Sequence, residues 1–330
     1  MENGFKDLTI VDFVTLSVIV ILLPMFTDLL NSLFPNARIG RIATEIVGII
    51  LVFFIVTLIY VAVYLWYCIY LPYYLVKQIH VVNILDVFIG DGNRSWVPLY
   101  IHLLLCTFIV LNLYYYYYKT IVSGIFSKQL SVKALKELDE EQRTRYCSRC
   151  RSLKTSTSFH CKVCNRCSEG IDHHCPYVNT CVISGSNWAY FYMFLWFVFF
   201  GLIYACYLSY FPFKDCYLNK TTLSSTDEKM CQRLSKFSMI FICAILLLIP
   251  ASFIMIWQGY LLYTNTTTIH LLKNLKESPT YSQWFLYIWN KFKCGSIQNF
   301  KSQFPNWRFW NLFIPYNHPT LHLQLKSKIK

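Results

Sequence analysis

The 330-residue sequence contains little charge. Only 14% of its residues are Asp, Glu, Lys or Arg, whereas 55% are hydrophobic and 18% are aromatic. A soluble globular domain carries about 25% charged residues, so this composition excludes an ordinary soluble protein and predicts a membrane protein. Acidic residues are especially scarce: 17 of them stand against 30 Lys and Arg, which gives a formal net charge of +13. A nucleic-acid role would explain that charge but not the apolar segments.

The first apolar segment lacks the marks of a cleaved signal peptide. Lys6 is the only basic residue ahead of it, and no small-residue cleavage site is evident. We expect this segment to be a membrane span, with an interfacial or re-entrant segment as the alternative. Hydrophobic runs of the roughly 20 residues that a bilayer requires lie at Leu8–Leu33, Ile46–Tyr70, Val97–Tyr118, Ala189–Phe213 and Phe237–Tyr263.

The basic excess is confined to two segments beside these runs. Residues 119–188 contain 11 Lys and Arg against 6 Asp and Glu, and residues 264–330 contain 9 against 1. Lys and Arg concentrate in the cytoplasmic segments that flank membrane spans, where anionic lipids also attract them. We therefore expect both segments on the cytoplasmic side, although a solvated basic surface is compatible with the same orientation.

Two loops are predicted on the opposite side of the membrane. Each contains an N-glycosylation sequon, which begins at Asn93 in one loop and at Asn219 in the other. The second loop also contains Cys216 and Cys231. A disulfide is plausible in an oxidising compartment, and two free thiols are the alternative.

Cysteines are concentrated in one stretch of 35 residues. Seven of the fourteen cysteines and three of the eight histidines lie there, as Cys147-x2-Cys150, His160-Cys161-x2-Cys164-x2-Cys167, Asp172-His173-His174-Cys175 and Cys181. A structural zinc ion takes four thiolate or imidazole ligands, and a C-x2-C turn supplies two of them. Two such sites use eight of the ten groups. One cysteine and one histidine then remain, which indicates two structural metals plus a reactive pair.

This pattern resembles the DHHC cysteine-rich domain of protein S-acyltransferases, also called palmitoyltransferases, and the resemblance is close over Arg145–Phe191. It implies two interleaved zinc sites, one formed by Cys147, Cys150, His160 and Cys167 and the other by Cys161, Cys164, His174 and Cys181. It also implies that Cys175 is the nucleophile, His173 its base and Asp172 the residue that orients the base. The alternative is that Asp172–Cys175 only adds ligands and a cap to the zinc sites.

The residue types suit the implied chemistry. A thiol with a pKa near 8.5 is mostly protonated at neutral pH, so an adjacent imidazole and a nearby metal help to form the thiolate. A carboxylate on the far ring nitrogen fixes the tautomer of that imidazole. The implied function is transfer of a long-chain acyl group, with palmitoyl as the expected chain, from acyl-CoA to cysteines of membrane-associated proteins through a Cys175 acyl-enzyme. The alternative function is a non-catalytic zinc-binding membrane adaptor or a ubiquitin-ligase-like protein, in which Cys175 is dispensable.

Residues for the CoA phosphates are less clearly defined. The family usually has a proline, an arginine and a histidine ahead of the ligand histidine, whereas this chain has Thr155, Thr157 and Phe159. Basic residues nearby are predicted to substitute, with a solvated basic face as the alternative for each of them. These residues are Arg151, Lys154, Lys162 and Arg166.

The segment after the last span carries two weaker resemblances. Thr267-Thr268-Ile269-His270 resembles the TTxE motif of the family, with histidine in place of glutamate. Asn299 and Phe304 resemble a C-terminal motif whose asparagine packs back against the membrane domain. Tyr281–Phe292 is aromatic-rich and lies either in the plane of the membrane interface or against the domain. Cys294 is a candidate for acylation.

The predicted fold class is mainly α: a polytopic transmembrane helical bundle of four to five spans with an inserted small, loop-rich zinc-binding domain. The predicted regions are N-terminal transmembrane helices (1–118), a cytoplasmic cysteine-rich zinc domain (119–188), a C-terminal transmembrane helix pair (189–263) and a basic cytoplasmic tail (264–330). The implied cofactors are two structural zinc ions, with acyl-CoA as co-substrate. The implied partners are membrane-associated proteins with cytoplasmic cysteines and the bilayer, not nucleic acid. The predicted location is the endomembrane system, in the Golgi, the endoplasmic reticulum or the plasma membrane.

Overall fold

The computed structural model describes residues 38–71, 97–127, 145–150, 152–154, 157–218, 225–276 and 280–305, together with Leu22, Arg308 and Asn311. Apart from Leu22, the predicted first span at Leu8–Leu33 lies outside the described residues. Both sequons predicted on the far side of the membrane, at Asn93 and Asn219, also lie outside them.

Four long helices dominate the described chain. They are α1 (Arg38–Leu65), α2 (Val97–Ile125), α3 (Trp188–Phe213) and α4 (Ser225–Thr264). A π-helical turn extends α1 over Trp66–Tyr70, and another extends α3 over Lys214–Leu218. Among the described residues, four stretches are long and apolar enough to cross a membrane: Gly40–Cys68, Tyr100–Ile125, Trp188–Leu218 and Phe237–Thr264. They confirm the last four predicted spans and the mainly helical membrane fold.

The cysteine-rich segment between α2 and α3 forms three antiparallel hairpins. Its strands are β1 (Arg145–Cys147), β2 (Ser152–Lys154), β3 (Ser158–Cys161), β4 (Arg166–Glu169), β5 (Ile171–Cys175) and β6 (Thr180–Ile183), paired in chain order. The first two C-x2-C pairs lie at the turns of the first two hairpins, and Cys175 is the last residue before the turn of the third. Asn165 and Asn179 each end a hairpin turn at φ values near +50°, a region that asparagine tolerates better than most residues.

Three shorter helices follow α4. They are α5 (Thr268–Lys276), α6 (Tyr281–Lys293) and α7 (Ile297–Ser302). The amide N–H of Ser296 donates to the Tyr263 carbonyl at 3.1 Å, and the Asn299 side chain donates to the same oxygen at 3.1 Å. The segment that leads into α7 is therefore tied to the last turn of α4.

The chain divides into two compact units. The described residues of the first are Leu22 and those that belong to Phe53–Leu111 and Phe197–Ser252. The core of this unit includes Trp66, Tyr70, Leu208 and Phe237. It also contains a disulfide between Cys216 and Cys231, so these cysteines are paired rather than free.

The second unit contains the described residues of Pro24–Val52, Asn112–Trp196 and Phe253–Lys330. Within it, the fully buried Asn187 joins a hairpin to the end of α2. Its Oδ1 accepts from the Ile183 amide at 2.8 Å, and its Nδ2 donates to the carbonyls of Thr120 and Cys181, each at 3.0 Å. The third hairpin is therefore fixed directly to a helix that ends in the same unit.

Candidate active site and zinc centres

The first predicted zinc group is assembled in the structure. Cys147, Cys150, His160 and Cys167 each offer a ligand atom, and these atoms lie within 4.8 Å of one another. The turn between β1 and β2 supplies the first two residues, and His160 lies directly opposite Cys167 in the β3–β4 ladder. The His160 Nδ1 atom is 3.6, 3.1 and 3.7 Å from the sulfurs of Cys147, Cys150 and Cys167.

The second predicted zinc group has the same construction one hairpin later. The turn between β3 and β4 supplies Cys161 and Cys164, and His174 lies opposite Cys181 in the β5–β6 ladder. The His174 Nδ1 atom is 3.7, 3.3 and 3.9 Å from the sulfurs of Cys161, Cys164 and Cys181. The sulfurs of Cys164 and Cys181 are 3.6 Å apart.

These distances fit zinc. With Zn–S near 2.3 Å and Zn–N near 2.05 Å, a tetrahedral ion holds sulfur about 3.6 Å from nitrogen and about 3.8 Å from a second sulfur. A disulfide would instead bring two sulfurs to about 2.05 Å. Three thiolates and one imidazole are also a usual donor set for a structural zinc site. Both groups can therefore hold a zinc ion with all four positions filled by protein.

Strand geometry explains why the ligands interleave. Successive side chains of a β-strand point to opposite faces. His160 and Cys161 are neighbours on β3 and accordingly belong to different groups. The β3–β4 hairpin is therefore shared by both metal groups.

Cys175 belongs to neither metal group. It ends β5, its side chain is buried with 4% exposure, and it lies two residues after His173. Residues two apart share a face of a strand. The His173 imidazole interacts electrostatically with the Cys175 thiol, and His174 between them points to the metal group. The structure thus brings together the predicted nucleophile and its predicted base.

Asp172 lies next to His173 at an irregularity in the β5–β6 register. In a regular strand, neighbouring side chains point apart, but a local irregularity re-aims them. The fully buried Asp172 carboxylate accepts from His173 Nδ1 at 2.7 Å, from the Thr268 amide at 2.5 Å and from Gln258 Nε2 at 3.0 Å. Burial alone would raise the pKa of Asp172, but these bonds, led by the one from His173, outweigh it and lower that pKa.

His173 is held between this carboxylate and the Cys175 sulfur. Its ring lies edge-on to the Phe191 ring at a centroid distance of 5.6 Å, and its side chain is 31% exposed. Burial disfavours the imidazolium, but the hydrogen bonds and charges of Asp172 and Cys175 outweigh burial and raise the pKa of His173 to about 10. The imidazole is therefore basic enough to take a proton from a thiol.

The four basic residues predicted for CoA differ in their surroundings. Lys162 is exposed in the β3–β4 turn and Lys154 is half-buried, whereas Arg151 lies outside the described residues. Arg166 is occupied, because its guanidinium donates to the Ile125 carbonyl at 2.8 Å, to Ser127 Oγ at 3.1 Å and to the Gly124 carbonyl. The last carbonyls of α2 would otherwise lack helical donors. Arg166 therefore caps a helix, a role that the sequence did not indicate.

The two weaker resemblances also have structural counterparts. The Thr268 amide bonds Asp172, so the TTxE-like segment reaches the candidate active site. His270 lies edge-on to Phe159 at 5.6 Å. Phe304 is buried and stacks on Phe300, while Asn299 donates to the end of α4. This last contact matches the packing that the resemblance implied.

The aromatic helix α6 exposes most of its large side chains. Tyr281, Phe285, Leu286 and Trp289 are all exposed, so these residues are not packed on the domain. The helix is nevertheless attached to α4, since the Tyr260 hydroxyl donates to the Ile288 carbonyl at 3.1 Å.

Sequence reasoning missed Gln258 and Trp188. Gln258 carries the one amide side chain in the span Phe237–Thr264, and polar side chains inside spans usually face a functional interior. That signal could have identified Gln258. Its partner Trp188 gave no such signal, because the spans contain many aromatic residues.

Comparisons with known proteins agree with this arrangement. A family model described as DHHC palmitoyltransferase matches residues 140–275. A Dictyostelium discoideum protein named as ZDHHC-type palmitoyltransferase 8 is 38% identical over 92% of this chain and 96% of that protein. Palmitoyltransferase ZDHHC3-A of Danio rerio is 31% identical over 45% of this chain and 43% of its own length. Palmitoyltransferase ZDHHC2 of Rattus norvegicus is 46% identical over 19% of this chain and 18% of its own length. The chain belongs to the DHHC palmitoyltransferase family.

Proposed function

We propose that this protein-cysteine S-palmitoyltransferase works through an acyl-enzyme on Cys175, with His173 as its base and Asp172 as the residue that orients the base. One observation carries the assignment of the nucleophile. Cys175 directly follows the ligand His174 on β5 but belongs to neither metal group, and its side chain interacts electrostatically with that of His173. A cysteine that only added a zinc ligand would lie within one of the groups.

In the first step, the Cys175 sulfur attacks the carbonyl carbon of a long-chain acyl-CoA. His173 takes the thiol proton at Nε2, because its Nδ1 is bound to Asp172. The bond between the carbonyl carbon and the CoA sulfur breaks, and the leaving thiolate receives the proton from His173. A thioester on Cys175 and free CoA result, so one thioester has replaced another.

In the second step, a cysteine of a protein substrate attacks the thioester on Cys175. His173 takes the proton of the incoming thiol and returns it to the Cys175 sulfur as that sulfur leaves. The buried Asp172 carboxylate stabilises the imidazolium in both steps. The products are the acylated substrate and the free enzyme.

The two metal groups would hold structural zinc. Four protein ligands would fill the coordination of each ion, so zinc would supply folding energy rather than an open position for substrate. The ligands of one ion would be Cys147, Cys150, His160 and Cys167, and those of the other Cys161, Cys164, His174 and Cys181. Because β5 carries both the ligand His174 and the nucleophile, zinc binding would hold Cys175 in place.

The protein is an integral membrane protein, and we place its zinc domain and tail on the cytoplasmic side of an endomembrane, in the Golgi, the endoplasmic reticulum or the plasma membrane. The basic excess of residues 119–188 and 264–330 supports that side. We assign the CoA phosphates to Lys154 and Lys162, since both keep part of their side chain exposed. The acceptors would be membrane-associated proteins with a cytoplasmic cysteine close to the bilayer.

Labelling of the purified protein with palmitoyl-CoA tests this mechanism. The protein in detergent micelles should acquire a covalent label that hydroxylamine removes, as expected of a thioester. Cys175→Ser should not form this label while it keeps two zinc ions per chain. Cys68→Ser, which removes an exposed thiol in the π-helical turn after α1 and outside the site, is the matched control and should label like the wild type.

Two other results would assign Cys175 a different role. If Cys175→Ser still formed a hydroxylamine-labile acyl-enzyme, Cys175 would not be the nucleophile. If Cys175→Ser lost zinc, Cys175 would be a ligand. None of the relatives named above is described as an adaptor or a ubiquitin ligase, and the transferase mechanism is the one that the geometry favours.

A further inference from the structure

We propose that Gln258 is a positioning residue for the acyl transfer and that Trp188 fixes its side-chain amide. This inference rests on the proposed roles of Asp172, His173 and Cys175. Gln258 lies on α4, outside the cysteine-rich segment, and it acts on the reacting sulfur only through Asp172 and His173.

The three side chains form a continuous buried chain of hydrogen bonds. Gln258 Nε2 donates to Asp172 Oδ2 at 3.0 Å, and Gln258 Oε1 accepts from Trp188 Nε1 at 2.6 Å. Gln258 is 3% exposed, Trp188 is 1% exposed and Asp172 is fully buried. Solvent therefore cannot replace either bond, and losing one leaves a buried polar group unpaired.

Trp188 determines which way the amide points. The indole N–H is a donor only, so it must face the amide oxygen rather than the amide nitrogen. The nitrogen of Gln258 then faces Asp172, and a carboxylate can only accept. Both bonds fail if the amide is reversed, so the orientation follows from the partners.

The amide in turn restricts the carboxylate. Asp172 Oδ2 accepts from both Gln258 and His173, and Oδ1 accepts from the Thr268 amide. Without Gln258, the carboxylate would keep only the Thr268 amide and the His173 imidazole as donors and could turn about its side-chain bonds. With Gln258, Oδ2 is held where His173 Nδ1–H can reach it. This contact keeps the proton on Nδ1 and leaves Nε2 to exchange a proton with Cys175.

A purely structural role for Gln258 makes a different prediction. If Gln258 only satisfied buried groups, its replacement would lower stability but leave the rate per folded, zinc-loaded molecule unchanged. A positioning role slows acyl-enzyme formation at saturating acyl-CoA, because proton transfer is impaired while acyl-CoA binding is intact. The rate at saturation and the KM for acyl-CoA therefore separate the two roles.

The test is single-turnover acyl-enzyme formation by the full-length protein in micelles, with labelled palmitoyl-CoA at several concentrations. Gln258→Met keeps the length of the side chain and removes both hydrogen bonds. We expect its rate at saturation to fall about 10- to 100-fold, as for the loss of a hydrogen bond to a charged group. KM should stay within threefold of the wild-type value. Trp188→Phe keeps a large ring and frees the amide, and its rate should fall by a smaller factor.

Ser252→Ala is the matched control. It removes a half-buried hydroxyl of the same helix, which donates to the Leu248 carbonyl of that helix at 2.6 Å. Its rate should equal that of the wild type. Zinc content and the thermal midpoint are measured for every variant, so that the rate refers to folded protein.

Each outcome decides the inference. A wild-type rate in zinc-loaded Gln258→Met, or a raised KM with an unchanged rate at saturation, overturns it. If Gln258→Met does not fold, the rates of Gln258→Glu and Trp188→Phe test the inference instead. Gln258→Glu keeps the shape of the side chain but places a carboxylate against the Asp172 carboxylate. Wild-type rates in both then overturn the inference. If instead the wild-type protein forms no Cys175-dependent acyl-enzyme, the proposed function fails first.

Discussion

Replacing Asp172 by asparagine should slow acyl-enzyme formation by a factor that reports how the new amide is oriented. Three donors converge on the carboxylate: His173 Nδ1 and Gln258 Nε2 on Oδ2, and the Thr268 amide on Oδ1. An asparagine amide has one oxygen and one NH₂ group, so the NH₂ group must face at least one of these donors.

The two orientations differ in cost. If the NH₂ group faces Thr268, a buried donor loses its partner at about 1–3 kcal/mol, and the tautomer of His173 is preserved. The bonds from His173 and Gln258 then end on a neutral oxygen, which weakens each by about 1 kcal/mol. If the NH₂ group faces His173 instead, the ring must move its proton to Nε2, and Gln258 would have to turn away from Trp188.

We therefore expect the first orientation. If about 3–4 kcal/mol of these losses appears in the barrier, the rate falls by about 10²- to 10³-fold, since each 1.36 kcal/mol is tenfold. The second orientation would leave the imidazole in the wrong tautomer and cost about 10⁴-fold. The size of the loss thus distinguishes the two orientations.

Rapid-quench labelling of zinc-loaded protein with palmitoyl-CoA measures this rate. Glu169→Gln is the matched control, because it removes an exposed carboxylate on β4 that accepts from the Thr157 hydroxyl at 3.0 Å. This control should label at the wild-type rate. If Asp172→Asn kept its zinc and labelled within threefold of the wild type, the orienting role of Asp172 would be refuted.

Three further predictions follow from the same unit. Cys181→Ser should lower the zinc content from about two ions per chain to about one, by elemental analysis, and an unchanged content would remove Cys181 from the ligand set. Arg166→Met should lower the thermal midpoint and leave the KM for palmitoyl-CoA unchanged, whereas Lys162→Met should raise that KM. If Arg166→Met raised the KM and Lys162→Met did not, Arg166 rather than Lys162 would be assigned to the CoA phosphates. Gly48→Ala should slow acylation, since a Cβ there would collide with the Asn179 side chain in the turn after Cys175. Gly201→Ala, where the nearest atom to a new Cβ is 3.4 Å away, should not slow it.

The zinc framework was the most predictable part of the site. Ligand chemistry restricts it to cysteine and histidine, and a C-x2-C pair is a local turn, so both features are visible in the sequence. The division of ligands between two ions came from the resemblance. The structure supplies the physical reason, because His160 and Cys161 are consecutive on a strand and must point apart.

The contacts that sequence reasoning missed join residues far apart along the chain. Arg166 donates a hydrogen bond to Gly124, 42 residues away in the sequence, and Gln258 donates one to Asp172, 86 residues away. Composition marks an arginine in a basic segment as a candidate phosphate ligand, but only tertiary packing shows that carbonyls at the end of α2 already occupy it. For Cys216 and Cys231 the sequence left a disulfide and two free thiols open, and the structure shows the disulfide.

The candidate active site also extends across the regional boundaries that the sequence suggested. Residues 119–188 contain the proposed nucleophile, the proposed base and both metal groups, so the sequence pattern suggests a self-contained domain. Two of the three donors to Asp172 nevertheless lie outside that range, one on α4 and one at the start of α5. The zinc hairpins and Phe253–Lys330 accordingly belong to one compact unit. Zinc can position the Cys175 backbone, but the proton transfer that we propose for His173 would also depend on Gln258 of α4. A segment cut at residue 188 should therefore retain ligands for both zinc ions and lose most of the acylation rate.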